Sequence, residues 1–372
     1  MIKHLGFKPD FATSAARFAA WWQCEAVDRP PVTLWLGPSR PYSGPASTHR
    51  TLRERWLDVR FSVDSAVASL ATADYVADTL PVFWPNVGPE ITATPYGIEL
   101  EFGKDTTWSV PVVHGPADWE KLLNTPPNFD NVYWRAVEAQ TDYAHEICDN
   151  RFLVGMSDLH GSFDILAALR DPEELCMDMV DCPELVAKAG LHVAEGYVEA
   201  FKRNYARAAK AGQGSTTWCP LYHPGPAYVP SCDFWCMVSP EVAERYILPT
   251  LLIEMKAFER SLFHLDGPDA LRHLDLVLDL PGLNALQWVF GTGHGPAARW
   301  LDVYRRSLAK GKAVQVLAES PADALEVLEA LGPRGLWLTV TDGISSAQEA
   351  AEFVQAVDRA CGVGKPPGRK GK

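Results

Sequence analysis

Hydrophobic and polar positions follow two alternating patterns along most of the chain. From residue 131 onward, short apolar runs of strand length are each followed by a stretch with apolar residues at helical spacing. With two earlier runs, these give predicted strand starts at Val32, Tyr75, Phe152, Ser215, Ser261, Leu283, Ala313 and Leu336. Such alternation favours a parallel sheet with helices outside it, and eight strands close a barrel. We predict one α/β domain, a single (β/α)8 TIM barrel, with a doubly wound open sheet as the alternative.

Two segments depart from this alternation. Residues 1–30 have the apolar spacing of a helix that ends before Pro30 and Pro31, and they predict an N-terminal helical extension. Residues 98–102 and 107–113 alternate around a polar turn, which predicts a β-hairpin insertion. The barrel is then expected over residues 31–361, and the basic Pro/Gly-rich residues 362–372 are expected to form a disordered tail.

The stretch from Ser261 to Gly293 has the clearest pattern for a site. A short apolar run ends in His264 and Asp266, and Pro268 suits the first turn of a following helix. The next predicted strand ends in Gln287-Trp288. Polar residues that follow buried parallel strands lie where α/β barrels and doubly wound sheets place their chemistry. His264 and Asp266 are therefore the central candidates.

The tips of a closed barrel converge on one mouth, so polar residues at the other strand ends join this candidate site. They are Asp78, Asp158, His160, His264, Asp266, Gln287, Glu319 and Asp342. Several carboxylates and histidines in one mouth can hold a divalent cation. They can also perform acid–base chemistry, if neighbouring carboxylates move each other's pKa values apart.

Several of these residues have a simpler structural interpretation. Asp266 can cap the helix that begins at Pro268, and Asp342-Gly343 is typical of a turn. Glu319 stands just before a predicted helix start, and His160 precedes Gly161 in a loop. His273, in the helix after Pro268, is predicted to lie on the surface.

Composition narrows the class of partner. The chain is 47% hydrophobic and 22% charged, with a formal net charge of −13, which disfavours nucleic acid and anionic membranes as main partners. It begins without a signal-like apolar run and has eight cysteines without a CxxC pair, so a cytoplasmic protein without membrane spans is expected. Among its thirteen tryptophans, Trp84, Trp218 and Trp288 lie beside turns or strand ends and are candidates for pocket walls.

Four stretches resemble one known family. They are FHLDG followed by LNALQW, GMSDLHGSFDIL, CDFWCMVSPEVAERYILPTLL and TVTDGISSAQEAAEFVQAV, and they look like the uroporphyrinogen decarboxylase superfamily. That superfamily includes zinc-dependent methyltransferases that move methyl groups between a corrinoid protein and a thiol. The resemblance covers roughly residues 30–360 and implies a (β/α)8 barrel with its site at the C-terminal mouth.

The chain departs from both branches of that superfamily. The His-x-Cys zinc motif of the methyltransferases becomes His264-x-Asp266, and their late Cys before Gly becomes Asp342. The resemblance thus implies a cation site of harder, oxygen-rich character. The strand-end Asp of the decarboxylases is matched by Asp78, but their Arg-rich loop retains only Arg40. An acidic mouth also repels a polyanionic substrate.

We therefore expect an enzyme acting on a small molecule, most simply a metal-assisted methyltransferase whose methyl carrier is a corrinoid on a partner protein. Zinc or a harder divalent cation is expected on His264, Asp266 and Asp342. The expected catalytic residues are Asp78, Asp158 and Asp266, and the expected substrate-binding residues are Trp84, His160, Gln287, Trp288 and Glu319. A metal-free decarboxylase or other lyase and a non-catalytic ligand-binding barrel are the alternatives. A homodimer is left open.

Overall fold

The strands of the protein are short, from 2 to 7 residues long. A computed structural model of the chain describes residues 2–363, so most of the predicted basic tail lies outside the described residues. The strands are β1 Val32–Leu34, β2 Val82–Phe83, β3 Glu99–Phe102, β4 Thr107–Val110, β5 Leu153–Val154, β6 Ala227–Tyr228, β7 Arg260–Asp266, β8 Ala285–Val289, β9 Ala313–Ala318 and β10 Leu336–Val340.

Helices follow nearly every strand. The α-helices are α1 Phe11–Trp21, α2 Leu52–Leu57, α3 Val59–Leu70, α4 Pro116–Leu123, α5 Val132–Ile147, α6 Ser162–Arg170, α7 Pro172–Asp181, α8 Pro183–Ala211, α9 Pro240–Val242, α10 Leu248–Met255, α11 Leu274–Leu278, α12 Leu301–Ala309, α13 Pro321–Leu331 and α14 Ala347–Ala360. Short 3₁₀ helices span Pro89–Tyr96, Asp233–Met237, Pro268–His273 and Ala297–Trp300, and a π-helical turn at Ala243–Ile247 joins α9 to α10. Among the described residues, no helix combines the length and apolarity needed to cross a membrane.

A curled parallel sheet forms most of the barrel wall. Its strand order is β1-β10-β9-β8-β7-β6, and every neighbouring pair is parallel. The parallel pair β2-β5 forms the opposing wall. Leu80 and Leu153 beside that pair belong to the same apolar cluster as Ala285 and Ala313 at the starts of β8 and β9. The predicted TIM barrel is confirmed.

The two additions predicted from the sequence are also present. The hairpin β3–β4 is antiparallel, with Glu99 opposite Val110. Helix α1 lies across the amino-terminal end of the strands, where Phe18 packs edge-on against Trp337 at 5.1 Å between ring centroids. Trp21 is fully buried there, and its Nε1 donates to the carbonyl of Val314 at 3.2 Å. The helical extension therefore closes the barrel at the end away from the mouth.

The fourth strand differs from the prediction. Around Ser215 the chain makes only an isolated antiparallel pairing with His223 and one hydrogen bond, from the N–H of Met156 to the carbonyl of Thr216 at 2.9 Å. The strand that pairs with β7 is β6, which follows at Ala227–Tyr228. Prolines at 220, 224, 226 and 230 explain the irregularity, because proline cannot donate to a ladder.

The segment after β7 also differs from the prediction. The helix expected from Pro268 is a 3₁₀ turn up to His273 and becomes α-helical only at Leu274. His273 was predicted on the surface, and that prediction is wrong. It is fully buried, with Nε2 at 2.7 Å from the carbonyl of Trp235, and its ring stacks on the Trp235 ring.

Candidate active site

Strand β7 carries His264 and Asp266 to the carboxyl end of the barrel. Residues two apart in a strand point to the same face, and His264 Nε2 lies 3.9 Å from Asp266 Oδ2. The ring of Trp218 stands nearly perpendicular to the imidazole, with 5.5 Å between the centroids. The two central residues predicted from the sequence therefore lie together, beside an aromatic wall.

A row of buried polar side chains extends behind His264 across the adjacent strands. The imidazole Nδ1 contacts Oε1 of Gln287 on β8. Gln287 Nε2 donates to Oε1 of Gln315 on β9 at 2.6 Å, and Gln315 Nε2 donates to Oγ1 of Thr339 on β10 at 3.0 Å. The thiol of Cys219 lies 3.4 Å from Gln315 Oε1. Gln287 was predicted to bind substrate, but its amide is occupied by these neighbours.

A second group of charged residues forms an acidic pocket beside β5. We use this name for the cavity of about 370 Å³ bordered by Glu90, His160, Asp164 and Asp233. His160 Nε2 lies 3.6 Å from Oδ2 of Asp158, which was predicted with it. Asp164 on α6 accepts the backbone N–H groups of Asp233 at 3.2 Å and of Phe234 at 2.9 Å. The pocket brings together residues from three separate segments of the chain.

The carboxyl groups of this region alter each other's protonation. Burial and the nearby Asp233 raise the pKa of Asp164 to about 7. Burial also raises the pKa of Glu90, with Asp158 and Asp233 adding to the effect. Burial, with a further contribution from Asp233, raises the pKa of Asp266 as well. Asp233 therefore links the acidic pocket electrostatically to the end of β7.

His160 responds to the same charges in the opposite direction. Burial on its own lowers the pKa of this imidazole, but its close contact with Asp158 and the charges of Asp158, Asp164 and Asp233 raise the pKa to about 10. At neutral pH the pocket therefore contains an imidazolium surrounded by carboxyl groups, with Asp164 close to half ionised. This combination can attract a cation and can also donate or accept a proton.

A close approach between two loops holds the pocket in shape. At Gly161 a Cβ atom would stand 2.5 Å from the carbonyl oxygen of Ser231, so only glycine fits there. Just beyond it, the fully buried Glu254 accepts the N–H of Ser162 at 2.8 Å. Burial raises the pKa of Glu254 to about 8. These contacts position α6, and with it Asp164, against the loop that carries Asp233.

Asp78 lies away from these residues, at the amino-terminal end of the strands. The prediction placed it at the end of the second strand, but β2 begins four residues later. Asp78 is fully buried and pairs with Arg17 at 3.0 Å and Arg29 at 2.6 Å. It also accepts the N–H of Val32, the first residue of β1, at 3.0 Å. Its contacts are those of a structural ion pair, and it is not part of the function proposed below.

The three tryptophans predicted as pocket walls have different surroundings. Trp84 follows β2 and, together with Trp218, borders a cavity of about 270 Å³ at the carboxyl end of β1. Trp288 is fully buried and packs against Trp300, with 5.2 Å between ring centroids. It faces the helix layer because its neighbour Gln287 faces the barrel interior. Trp84 is thus available to a ligand, and Trp288 is part of the core.

The predicted metal ligands are only partly brought together. His264 and Asp266 are adjacent, but Asp342 is exposed, and its Oδ1 accepts the N–H of Gly343 at 2.6 Å, as the turn interpretation expects. Glu319 is likewise exposed. Within residues 2–363, no three His, Cys, Asp or Glu side chains are grouped closely enough to hold a metal ion. His264, Asp266 and Asp342 therefore do not form a set of ligands that fits the expected cation.

Sequence reasoning missed several members of this region. Glu90 and Asp164 lie in helical turns and not directly at strand ends, so the strand-tip criterion did not select them. Asp233 follows a Pro-rich stretch and lies at the start of a 3₁₀ turn, and Gln315 stands inside an apolar strand. A polar residue in the middle of a buried strand is the one signal that could have identified Gln315.

Comparison with known proteins supports the architecture. No protein-family model matches the chain, and no curated protein matches its sequence. A solved methyltransferase from Methanosarcina mazei matches with a TM-score of 0.59 and 14% identity, over 93% of this chain and 98% of that one. A B12-independent methionine synthase from a Shewanella species matches with a TM-score of 0.41 and 11% identity, over 90% and 96% of the two chains. The chain has the fold of the first protein, which agrees with the barrel that the predicted resemblance implies.

Proposed function

We propose that this chain is a methyltransferase-like enzyme of the uroporphyrinogen decarboxylase superfamily, and that its substrate is a small, positively charged molecule. The single observation that carries the proposal is the acidic pocket, in which Glu90, Asp164 and Asp233 border the imidazolium of His160, with Asp158 beside that ring. A polyanion such as the substrate of the haem-pathway decarboxylases is repelled by this pocket. A cation is attracted to it, and the half-buried Trp84 and Trp218, which border a second cavity at the carboxyl end of β1, have aromatic faces that suit a methylated ammonium group.

The reaction that fits this pocket is transfer of a methyl group between an ammonium nitrogen and an acceptor. The methyl group leaves as CH₃⁺, the electron pair of the C–N bond stays on nitrogen, and the acceptor supplies the pair for the new bond. The released amine is more basic than a carboxylate, so it takes up a proton. Asp164, with a pKa of about 7, can supply that proton from within the pocket. A corrinoid on a partner protein is the acceptor that the resemblance implies.

Binding and transfer can be tested separately. Calorimetric titration with choline, with its neutral carbon analogue 3,3-dimethylbutan-1-ol and with succinate compares three charges at similar size. We expect choline to bind and the other two to bind at least tenfold more weakly, a difference of about 1.4 kcal/mol. Equal binding of choline and the neutral analogue would overturn the cationic substrate class.

Methyl transfer is followed by the absorbance change when free cob(I)alamin is methylated. A panel of methylated ammonium and sulfonium compounds serves as donors. Asp164→Asn and Asp233→Asn should lower the rate by tenfold or more, and Asp342→Asn, at an exposed turn, is the matched control. Absence of transfer from every donor, by a protein that binds choline, would contradict the methyltransferase assignment and leave the cation site standing.

A further inference from the structure

The buried row of His264, Gln287, Gln315 and Thr339 is joined by hydrogen bonds that all run in one direction, because each amide nitrogen donates to the next residue in the row. Gln287 uses its amide nitrogen towards Gln315, so its oxygen is the atom left to face His264 Nδ1. An amide oxygen can only accept. With the amide in this orientation the imidazole carries its proton on Nδ1, and Nε2 is left with a free lone pair on the side of Asp266 and the mouth.

The direction of the Gln287 amide depends in turn on Gln315. Gln315 presents its oxygen to Gln287 and to the thiol of Cys219, and its nitrogen to Thr339 Oγ1. If Gln287 alone were flipped, two amide oxygens would face each other at hydrogen-bond distance. The two amides can therefore reverse only together, and reversal would put a donor against His264 Nδ1 and move the imidazole proton to Nε2.

Burial makes this constraint strict. Gln287, Gln315, Thr339 and Cys219 are each at most 4% exposed. Water is therefore a poor substitute partner for a misoriented amide, and an unsatisfied buried polar group is destabilising. Apolar side chains at positions 287 and 315 would fill this layer of the barrel as well as the two glutamines do, so packing alone does not explain why both residues are polar.

We propose that Gln287 and Gln315 are positioning residues that fix the tautomer of His264, and that Gln315 does so without touching the histidine. The imidazole is held with Nδ1 protonated, so that Nε2 faces the mouth as a proton acceptor or ligand atom. The use of that lone pair in catalysis rests on the proposed function, whereas the tautomer of His264 is independent of it.

The test uses the full chain with ¹⁵N-labelled histidine, at a pH where the neutral imidazole dominates its spectrum. Two-bond ¹H–¹⁵N correlations distinguish the two tautomers, and the signal that disappears in His264→Gln identifies His264 among the ten histidines. We expect an Nδ1–H pattern in the unmodified protein. An Nε2–H pattern would overturn the proposal.

Variants distinguish positioning from packing. Gln287→Met keeps a side chain of similar length without an amide, and we expect the Nε2–H form to appear. Gln315→Met should have the same effect from one strand further away, and Gln315→Glu, which keeps an acceptor for Gln287, should retain the Nδ1–H pattern. Gln140→Met is the matched control, since Gln140 is a buried glutamine on α5 bonded to the carbonyl of Trp56.

An unchanged Nδ1–H pattern in a folded Gln315→Met protein would contradict the long-range role of Gln315. If Gln315→Met does not fold, the pattern in Gln287→Met decides the role of Gln287, and Gln315→Leu replaces the failed variant. The outcome is separable from the proposed function. A protein with the predicted tautomer that fails to bind choline refutes the cationic substrate and leaves the positioning of His264 intact.

Discussion

At the scale of single residues, the chemistry of the mouth depends on carboxyl groups whose burial opposes ionisation while nearby hydrogen-bond donors favour it. Asp164 illustrates this balance. Its two backbone N–H partners favour the ionised form, whereas burial and the charge of Asp233 disfavour it, and the second pair of effects is stronger. A carboxyl group with a pKa near 7 is present in both forms at neutral pH, which suits proton transfer.

The pKa of Asp164 leads to a prediction for ligand binding. Below pH 7 Asp164 is mostly neutral, and above it the residue is mostly anionic, so the affinity for a cation should rise as the pH is raised from 6 to 8. We expect choline, whose charge does not change over this range, to bind roughly tenfold more tightly at pH 8. Calorimetric titration across the range measures the effect.

Asp164→Asn should remove this pH dependence and give weak binding throughout. Asp342→Asn provides the control, because Asp342 is exposed in a turn and outside the acidic pocket. A pH-dependent increase that persists in Asp164→Asn would assign the titration to another group.

At the scale of structural elements, the site depends on how helices and loops meet behind the strand ends. The N-terminus of α6 is the clearest case, because Gly161 allows the Ser231 carbonyl to approach and Glu254 accepts the first N–H of the helix. Side chains that pack the same helix continue this arrangement, since Phe163 stacks on Phe234 with 5.9 Å between ring centroids. The orientation of Asp164 is therefore determined by the packing of a whole helix.

We predict that Gly161→Ala weakens both the fold and the pocket. The added Cβ would lie 2.5 Å from a backbone oxygen, which cannot rotate away, so the loop from Ser231 to Asp233 must shift. Overpacking of this kind costs about 1–3 kcal/mol. Urea denaturation should show that loss, and choline affinity should fall with it.

Gly37→Ala is the matched control, since a Cβ at Gly37 would meet no atom within 4 Å. Unchanged stability and choline affinity in Gly161→Ala would show that the α6 and Ser231 segments adjust freely, and that the close approach does not determine the pocket.

At the scale of the whole molecule, the two ends of the barrel differ in how far their charged residues are neutralised. The mouth carries incompletely neutralised carboxyl groups, whereas the opposite end is closed by α1 and by buried ion pairs. Asp78 joins Arg17 of α1 to Arg29, and Arg29 also lies 3.3 Å from Asp358 of α14. This network connects the N-terminal extension to the last described helix.

Asp78→Asn should therefore destabilise the fold without altering the chemistry at the mouth. Asp78→Asn removes the buried charge that Arg17 and Arg29 share and leaves each arginine with one acid, Asp28 or Asp358. Breaking a buried pair in this way typically costs about 3–5 kcal/mol. Denaturation in urea measures the loss, and choline affinity at low temperature should stay unchanged. A stable Asp78→Asn protein that lost transfer activity would instead restore the catalytic role predicted from the sequence.

Much of the fold can be predicted from the local pattern of apolar and polar residues. Alternating strand and helix periods indicate the barrel, the hairpin pattern indicates β3–β4, and Asp171-Pro172 indicates the start of α7, where the Asp171 side chain accepts two backbone N–H groups. His264 and Asp266 could be placed at the mouth because the two-residue repeat of a strand and the shared direction of parallel strands are properties of the backbone alone.

The tertiary structure alone decided which residues share a pocket. Glu90, Asp164 and Asp233 are far apart in sequence, and only the packing of α6 against two 3₁₀ turns makes them neighbours. The tertiary structure also separates Asp78 from the mouth. The chain before β2 runs beside the first residue of β1, at the end of the barrel opposite the mouth, and Asp78 accepts the N–H of Val32 there. Burial and charge act over a few ångströms of space, so pKa values and donor directions, including the proton on His264, are settled by the fold and cannot be predicted from the order of residues.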